Sequence, residues 1–123
     1  MESILTSIKQ MLGPSAEYEH FDPEIIMHIN TVFMELAQIG VGPECGFVIE
    51  DDTASWKDFV SDEEASKLFG GIEALKTYMY LKVKLVFDPP SNGSHMEAIN
   101  KQIDRLEWRL FTATDYTKEG QNG

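Results

Sequence analysis

Apolar residues recur along this chain in blocks separated by turn and capping signals. Ile4, Leu5, Ile8, Met11 and Leu12 follow the i, i+3, i+4, i+7 spacing of one helix face, and Gly13-Pro14 closes the block. The spacing predicts a first helix over 3–12. Asp22 offers a cap, Pro23 suits the first helical position and Glu24 favours the positive end of the helix dipole, so a second helix is expected over 23–39. Its apolar face is Ile25, Ile26, Ile29, Val32, Phe33, Leu36 and Ile39. The opposite stripe is Glu24, His28, Thr31, Glu35 and Gln38, and Gly40 is a natural stop.

The stretch from Leu75 to Pro90 has a different pattern. It reads as a helix apolar on nearly every side, with Lys76, Lys82 and Lys84 as its only charges before Asp88, and such a helix must be covered on several sides. The lysine stems can lie along apolar surface with the ammonium in water. Ser61-Asp62-Glu63-Glu64 is a capping box that opens this third helix, expected over 61–87, kinked at Gly70-Gly71 and stopped by Asp88-Pro89-Pro90. Ser94 and Glu97 form a second box. They open a fourth helix over 95–111, whose Met96, Ile99, Ile103, Leu106 and Leu110 make a single narrow stripe. Between the second and third helices the helical pattern breaks. Phe47-Val48-Ile49-Glu50 reads as a short strand turning at Asp51-Asp52 into Ser55–Phe59, which predicts a short β-hairpin or structured loop at 46–59. A lone hairpin is marginal in water, so this one must lean on the helices or on a partner, with Trp56 and Phe59 as anchors.

The expected fold is therefore mainly α, a small bundle of about four helices. One domain over 1–111 is followed by a polar, glycine-containing stretch at 112–123 expected to form a flexible C-terminal tail. At 123 residues with 42% hydrophobic content, the chain can close a core without staples. Cys45 is the only cysteine, which excludes an internal disulfide and fits synthesis in a reducing cytoplasm. No apolar run reaches the ~18 residues that a membrane span needs, and the N-terminus has no basic flank or cleavage pattern of a signal peptide. Neither a membrane anchor nor a membrane partner is expected.

Charge narrows the function classes. The net charge is −11, and between Glu44 and Glu64 eight acids face Lys57 alone. Nucleic-acid binding draws its affinity from Lys and Arg neutralising phosphates, so sequence-specific binding to DNA or RNA is not expected. The chemistry-bearing residues do not converge either. His28 is one turn from Glu24 and two from Glu35, with His20 and Asp22 nearby, but a metal site needs three or four ligands with supporting partners. Cys45 follows Glu44, whose charge would raise a thiol pKa, the wrong direction for a nucleophile. There is no Gly-x-Ser-x-Gly and no phosphate-binding glycine loop. No catalytic residue, cofactor or metal is expected. Among the aromatics, Tyr78, Tyr80, Phe87, Trp108 and Phe111 read first as helix-packing residues. Trp and Tyr are also enriched at interface hot spots, and Trp108 falls beside the stripe of the fourth helix rather than within it.

Taken in order, three stretches and a short segment resemble the head–tail connector (adaptor) proteins of long-tailed bacteriophages and prophages. They are Met-Glu-Ser-Ile-Leu-Thr-Ser-Ile-Lys at the start, Asp22 to Asn30, Tyr80 to Pro90, and Glu107-Trp108-Arg109-Leu110. The specificity lies in their order and spacing, and the resemblance covers Met1 to about Leu110. It implies a structural virion protein without cofactor. Such a subunit forms a ring similar in symmetry to the twelve-fold portal, lies beneath it, and meets another head-completion or tail protein on its other face. A ring repeats each subunit's charge around one channel, which makes Glu50, Asp51, Asp52 and Asp58 candidate channel-facing acids. Trp56, Phe59, Trp108 and Phe111 are the candidate interface anchors. The residues alone leave open a small acidic helical interaction or regulatory protein with one soluble partner, a metalloenzyme using His20, His28 and Glu24, and a DNA mimic.

Overall fold

The structure, a computed structural model, describes residues 2–68 and 70–122, and the side chains among them as far as Leu110 except that of Ser15. Its helices among those residues are α1 (Ile4–Leu12), α2 (Asp22–Gln38), α3 (Trp56–Phe59), α4 (Asp62–Ser66), α5 (Gly71–Phe87) and α6 (Gly93–Asn122). Two 3-10 turns, Pro14–Ala16 and Glu19–Phe21, link α1 to α2. The mainly α bundle anticipated from the sequence is present.

Helix α5 is the centre. Leu75, Tyr78, Met79 and Val83 are buried on it, and α1, α2, α4 and α6 all pack against it. The apolar faces of α1 (Ile4, Leu5, Ile8, Leu12) and α2 (Ile25, Ile29, Val32, Phe33, Leu36) close over the same core. The α6 stripe behaves as its spacing predicts, with Ile99, Ile103 and Leu110 buried and Met96 and Leu106 half-buried.

The ends of the helices differ from expectation for local reasons. Ser3 caps α1 by accepting the Thr6 N–H at 3.2 Å. Asp22 is the first residue of α2 rather than its cap, because the 3-10 turn ending at Phe21 runs straight into the helix. Its carboxylate pairs instead with Lys9 at 2.7 Å. The helix expected over 61–87 is divided rather than kinked: Gly70 and Gly71 have φ of 83° and 62°, a region that costs glycine little and that a continuous helix cannot contain. The Ser61–Glu64 capping box survives on the short α4. Helix α6 begins two residues early because Asn92, not Ser94, is its cap, with Oδ1 accepting the N–H groups of Ser94 (2.8 Å) and His95 (3.2 Å). Its backbone continues as helix to Asn122, past the expected end at 111. The side chains of the anchor candidate Phe111 and of the tail at 112–122, and all of Gly123, lie outside the described residues.

No β-hairpin forms at 46–59 among the described residues. The amide side chain of Asn30 on α2 takes the place of a partner strand. The Ile49 N–H donates to Asn30 Oδ1 at 2.8 Å, and Asn30 Nδ2 donates to the Ile49 carbonyl at 3.0 Å. Both polar groups of a residue that is buried at its side chain are thus satisfied without a second strand. The intended second strand winds into α3 instead, because Ser55 and Asp58 form a capping box that the hairpin reading overlooked. What remains of sheet pairing is one isolated bridge between Ser3 and Ser55, beside the hydrogen bond from the Ile4 N–H to the Ala54 carbonyl at 3.0 Å.

The Asn30 bond pair makes a direct prediction. Asn30→Ala should cost about 1–3 kcal/mol, the range for leaving buried backbone groups unpaired. Urea unfolding measures the loss, and hydrogen exchange at the Ile49 amide should accelerate in the same variant. Unchanged stability together with unchanged exchange would show that the loop is held by its side chains alone.

Candidate interaction surface

Two of the four aromatic anchors face inward. Trp56 is 4% exposed, and its indole Nε1–H donates to Ser7 Oγ at 2.9 Å while the Ser7 hydroxyl donates to the Ile4 carbonyl at 2.9 Å. Phe59 is buried between Phe33 and Phe47, with ring centroids 4.6 and 5.4 Å away. Its approach to the loop is so close that a Cβ on Gly42 would sit 2.3 Å from the ring. Trp56 and Phe59 therefore anchor the 41–59 loop to the subunit's own helices, and Trp56 also lines the groove described below.

Trp108 has the opposite placement. It is 63% exposed on the outer face of α6, where Lys101, Asp104 and Arg105 share its side of the helix and are exposed as well. Lys101 pairs with Glu97 at 3.6 Å, whereas Arg105 has no ion partner among the described residues. Tyr18, Met27, Met34, Val48 and Val86 are further apolar side chains left outside.

The four candidate acids, Glu50, Asp51, Asp52 and Asp58, are all exposed, on the side of the subunit where α1 begins. They are not equivalent. Asp51 Oδ1 accepts the Thr53 hydroxyl at 2.5 Å and the Thr53 N–H at 2.9 Å, and these bonds, the hydroxyl first, hold its carboxyl below the usual value. Asp58 caps α3 by accepting the Ser55 N–H at 2.8 Å. Glu50 and Asp52 have no such local task among the bonds described.

Beside this region a groove of about 490 Å³ opens between α3, α4 and the start of α5. Trp56, Val60, Ala65 and Ile72 line it, with Glu2, Asp62, Lys57 and Lys76 at its edges. Lys57 pairs with Asp62 at 3.5 Å, and Lys76 with Glu2 and with Glu73. The Glu2 partner is the main reason that the Lys76 pKa is raised. Nothing in the sequence pattern marks this groove, because its walls come from segments whose proximity depends on the break at Gly70-Gly71.

The residues that suggested metal or acid–base chemistry are dispersed. Glu35 pairs with Lys82 at 2.5 Å, Asp22 with Lys9, and the His20 ring lies 4.0 Å from that of Phe21. His28 Nε2 is 3.7 Å from Glu24 Oε1. Among the described residues no group of three or more His, Cys, Asp or Glu side chains could hold a metal ion, and no helix is long and apolar enough to cross a membrane. Cys45 is free and exposed. The arrangement offers surfaces for contact.

The model of the phage connector protein family matches residues 4–117, from the first turn of α1 far into α6. The chain belongs to that family. No curated protein and no solved structure matches it. The phage connector family is a structural one, so a head–tail connector role in the virion, in contact with other head or tail proteins, is the role of this chain. Between the readings that the sequence left open, membership favours the connector over the soluble regulator.

One interaction within this connector has a testable pH signature. The Tyr78 hydroxyl on α5 donates to Glu107 Oε2 on α6 at 2.9 Å. Burial first, then the Glu107 carboxylate, pushes the phenol pKa well above its ordinary value of about 10. A group whose folded pKa is raised gives its full stabilisation below the unfolded pKa and loses it as pH climbs towards the folded one. The wild type should therefore exceed Tyr78→Phe in stability by about 1 kcal/mol at neutral pH. Above pH ~10 this advantage should shrink by up to about 1.4 kcal/mol per pH unit. Urea unfolding of both proteins at neutral and alkaline pH measures it, and a pH-independent difference would refute the assignment.

Proposed function

We propose that this connector assembles as a ring beneath the portal of a DNA-filled capsid, joins capsid to tail and continues the DNA channel. The observation that carries the reading is the family match across residues 4–117. The packing is consistent with it: the core is closed by the subunit's own helices, while Met27 and Met34 on α2, Val86 at the end of α5 and Trp108 on α6 remain exposed for other chains. In this reading the portal contacts one face of the ring and another head-completion or tail protein the other. The subunit is made in the host cytoplasm, and Trp108 and Phe111 serve as partner anchors.

The acids acquire a role in such a ring. Glu50, Asp51, Asp52 and Asp58 are the proposed channel-facing set, repeated around the bore by the symmetry of the assembly. Charges act on passing DNA only within roughly 8 Å at physiological salt, so the effect belongs to acids at the channel wall or mouth. There they repel the phosphate backbone and keep DNA from adhering.

Co-sedimentation of the full chain with the portal protein of the same phage tests the function. Saturable binding at a fixed ratio, seen by electron microscopy as a ring coaxial with the portal, is the expected result. No binding across protein concentration and salt would overturn the portal-ring reading.

A further inference from the structure

Where α1 gives way to α2, four aromatic rings gather at one corner of the bundle. The Tyr18 ring lies 5.9 Å from that of His20 and 6.4 Å from that of Phe21, and His20 and Phe21 are 4.0 Å apart. Phe21 in turn meets Phe87, at the end of α5, edge-on at 5.5 Å. Phe21 and Phe87 are half-buried, whereas Tyr18 is 65% exposed and His20 is exposed beside it. Contiguous ring surface left in water marks a contact site, and tyrosine is among the residue types that dominate interface energetics.

Carboxylates surround these rings in excess. Glu17 and Glu19 flank Tyr18, and Glu24 follows Phe21 by one turn; all three are exposed. The cations of this corner are already held. Lys9 pairs with Asp22 at 2.7 Å, and the Lys84 ammonium donates to the Asp88 carbonyl at 3.3 Å. Among the described residues no Lys or Arg pairs with Glu17, Glu19 or Glu24, and the ion contact of Glu24 is with His28 at 3.7 Å. The same fold shows elsewhere how such a set is completed. On α5 the Lys82 ammonium lies 5.7 Å from the centre of the Tyr78 ring and pairs with Glu35 of α2. Ring, carboxylate and cation come together there, while at the Tyr18 corner the chain supplies rings and carboxylates.

We propose that the corner formed by Tyr18, His20, Phe21 and Phe87 docks an arginine-bearing segment of another protein. The guanidinium lies against the Tyr18 ring and donates to Glu17 or Glu19. Arginine suits the corner better than lysine, because a planar guanidinium stacks on aromatic faces and can donate two N–H groups to one carboxylate. The recognition chemistry is a property of this chain alone. That the arginine belongs to the portal or to another head or tail protein rests on the portal-ring reading.

The test is an NMR titration of the full chain, labelled with ¹⁵N and with ¹³C in its aromatic rings. The probe is the peptide acetyl-Arg-Gly-Arg-amide, and its control carries neutral citrulline in place of each arginine. The ring signals of Tyr18, His20, Phe21 and Phe87 and the amides of Glu17 and Glu19 should shift saturably with the arginine peptide and stay fixed with the control. Tyr18→Ala should weaken binding about three-fold. Glu17→Gln and Glu19→Gln together should weaken it about five-fold. All three side chains are exposed, and equal thermal midpoints check that each variant is folded. Shifts of equal size along residues 44–64 would overturn the site, because net charge alone would then attract the peptide. Binding unchanged in both variants would overturn it too. So would ring signals that move with the chain's own concentration before peptide is added, which would give the surface to a second copy. Portal co-sedimentation separates this inference from the portal-ring reading. Peptide binding at the rings without portal binding would support the surface and refute the portal-ring reading alone. Portal binding with no peptide shift at the rings would refute this surface alone.

Discussion

A helix with apolar residues on nearly every side has to be enclosed, and that requirement on α5 organises this subunit. Leu75, Tyr78, Met79 and Val83 demand cover from several directions, and α1, α2, α4 and α6 supply it. The few polar groups of α5 reach its edges, and three of them tie it to covering elements: Lys76 to Glu2 ahead of α1, Lys82 to Glu35 on α2, and the Tyr78 hydroxyl to Glu107 on α6. Partly exposed ion pairs of this kind contribute about 1 kcal/mol or less each. Burial of the large side chains, at roughly 1.5–3 kcal/mol apiece, is the larger force. The polar ties fix register; the apolar core provides stability.

The second constraint is the irregular stretch between α2 and α4, which crosses apolar territory without a partner strand. Asn30 meets the polar groups of Ile49, and the Phe33, Phe47 and Phe59 rings fill the space beneath. The result is a loop fastened to the core at several points, with its acids outside.

Periodicity made the faces of α1, α2 and α6 legible, because a 3.6-residue repeat of apolar side chains has few other physical solutions. The need to surround α5 was legible for the same reason. What could not be read was tertiary. The alternation at Phe47–Glu50 suited a strand, but whether a strand pairs depends on what lies opposite, and here that is the side chain of Asn30. Gly70-Gly71 announced an interruption without fixing whether the helix would bend or divide. Trp56 and Trp108 show the limit for the surface: both read as candidate anchors, one in the loop and one beside a helical stripe, and only the fold separates the buried one from the exposed one. A capping signal at Ser55 and Asp58 was available and would have redirected the hairpin reading to α3.

The central claim is that the connector subunit closes its core with its own helices, so that the proposed assembly uses exposed side chains such as Trp108 without refolding that core. Hydrogen exchange compared between the free chain and the portal-bound assembly tests it most directly. The account predicts new protection at residues 105–110, with α1, α2 and the Ile49 amide protected equally in both states. Large gains throughout α1 and α2, with none at α6, would contradict it, because the core would then be formed by assembly.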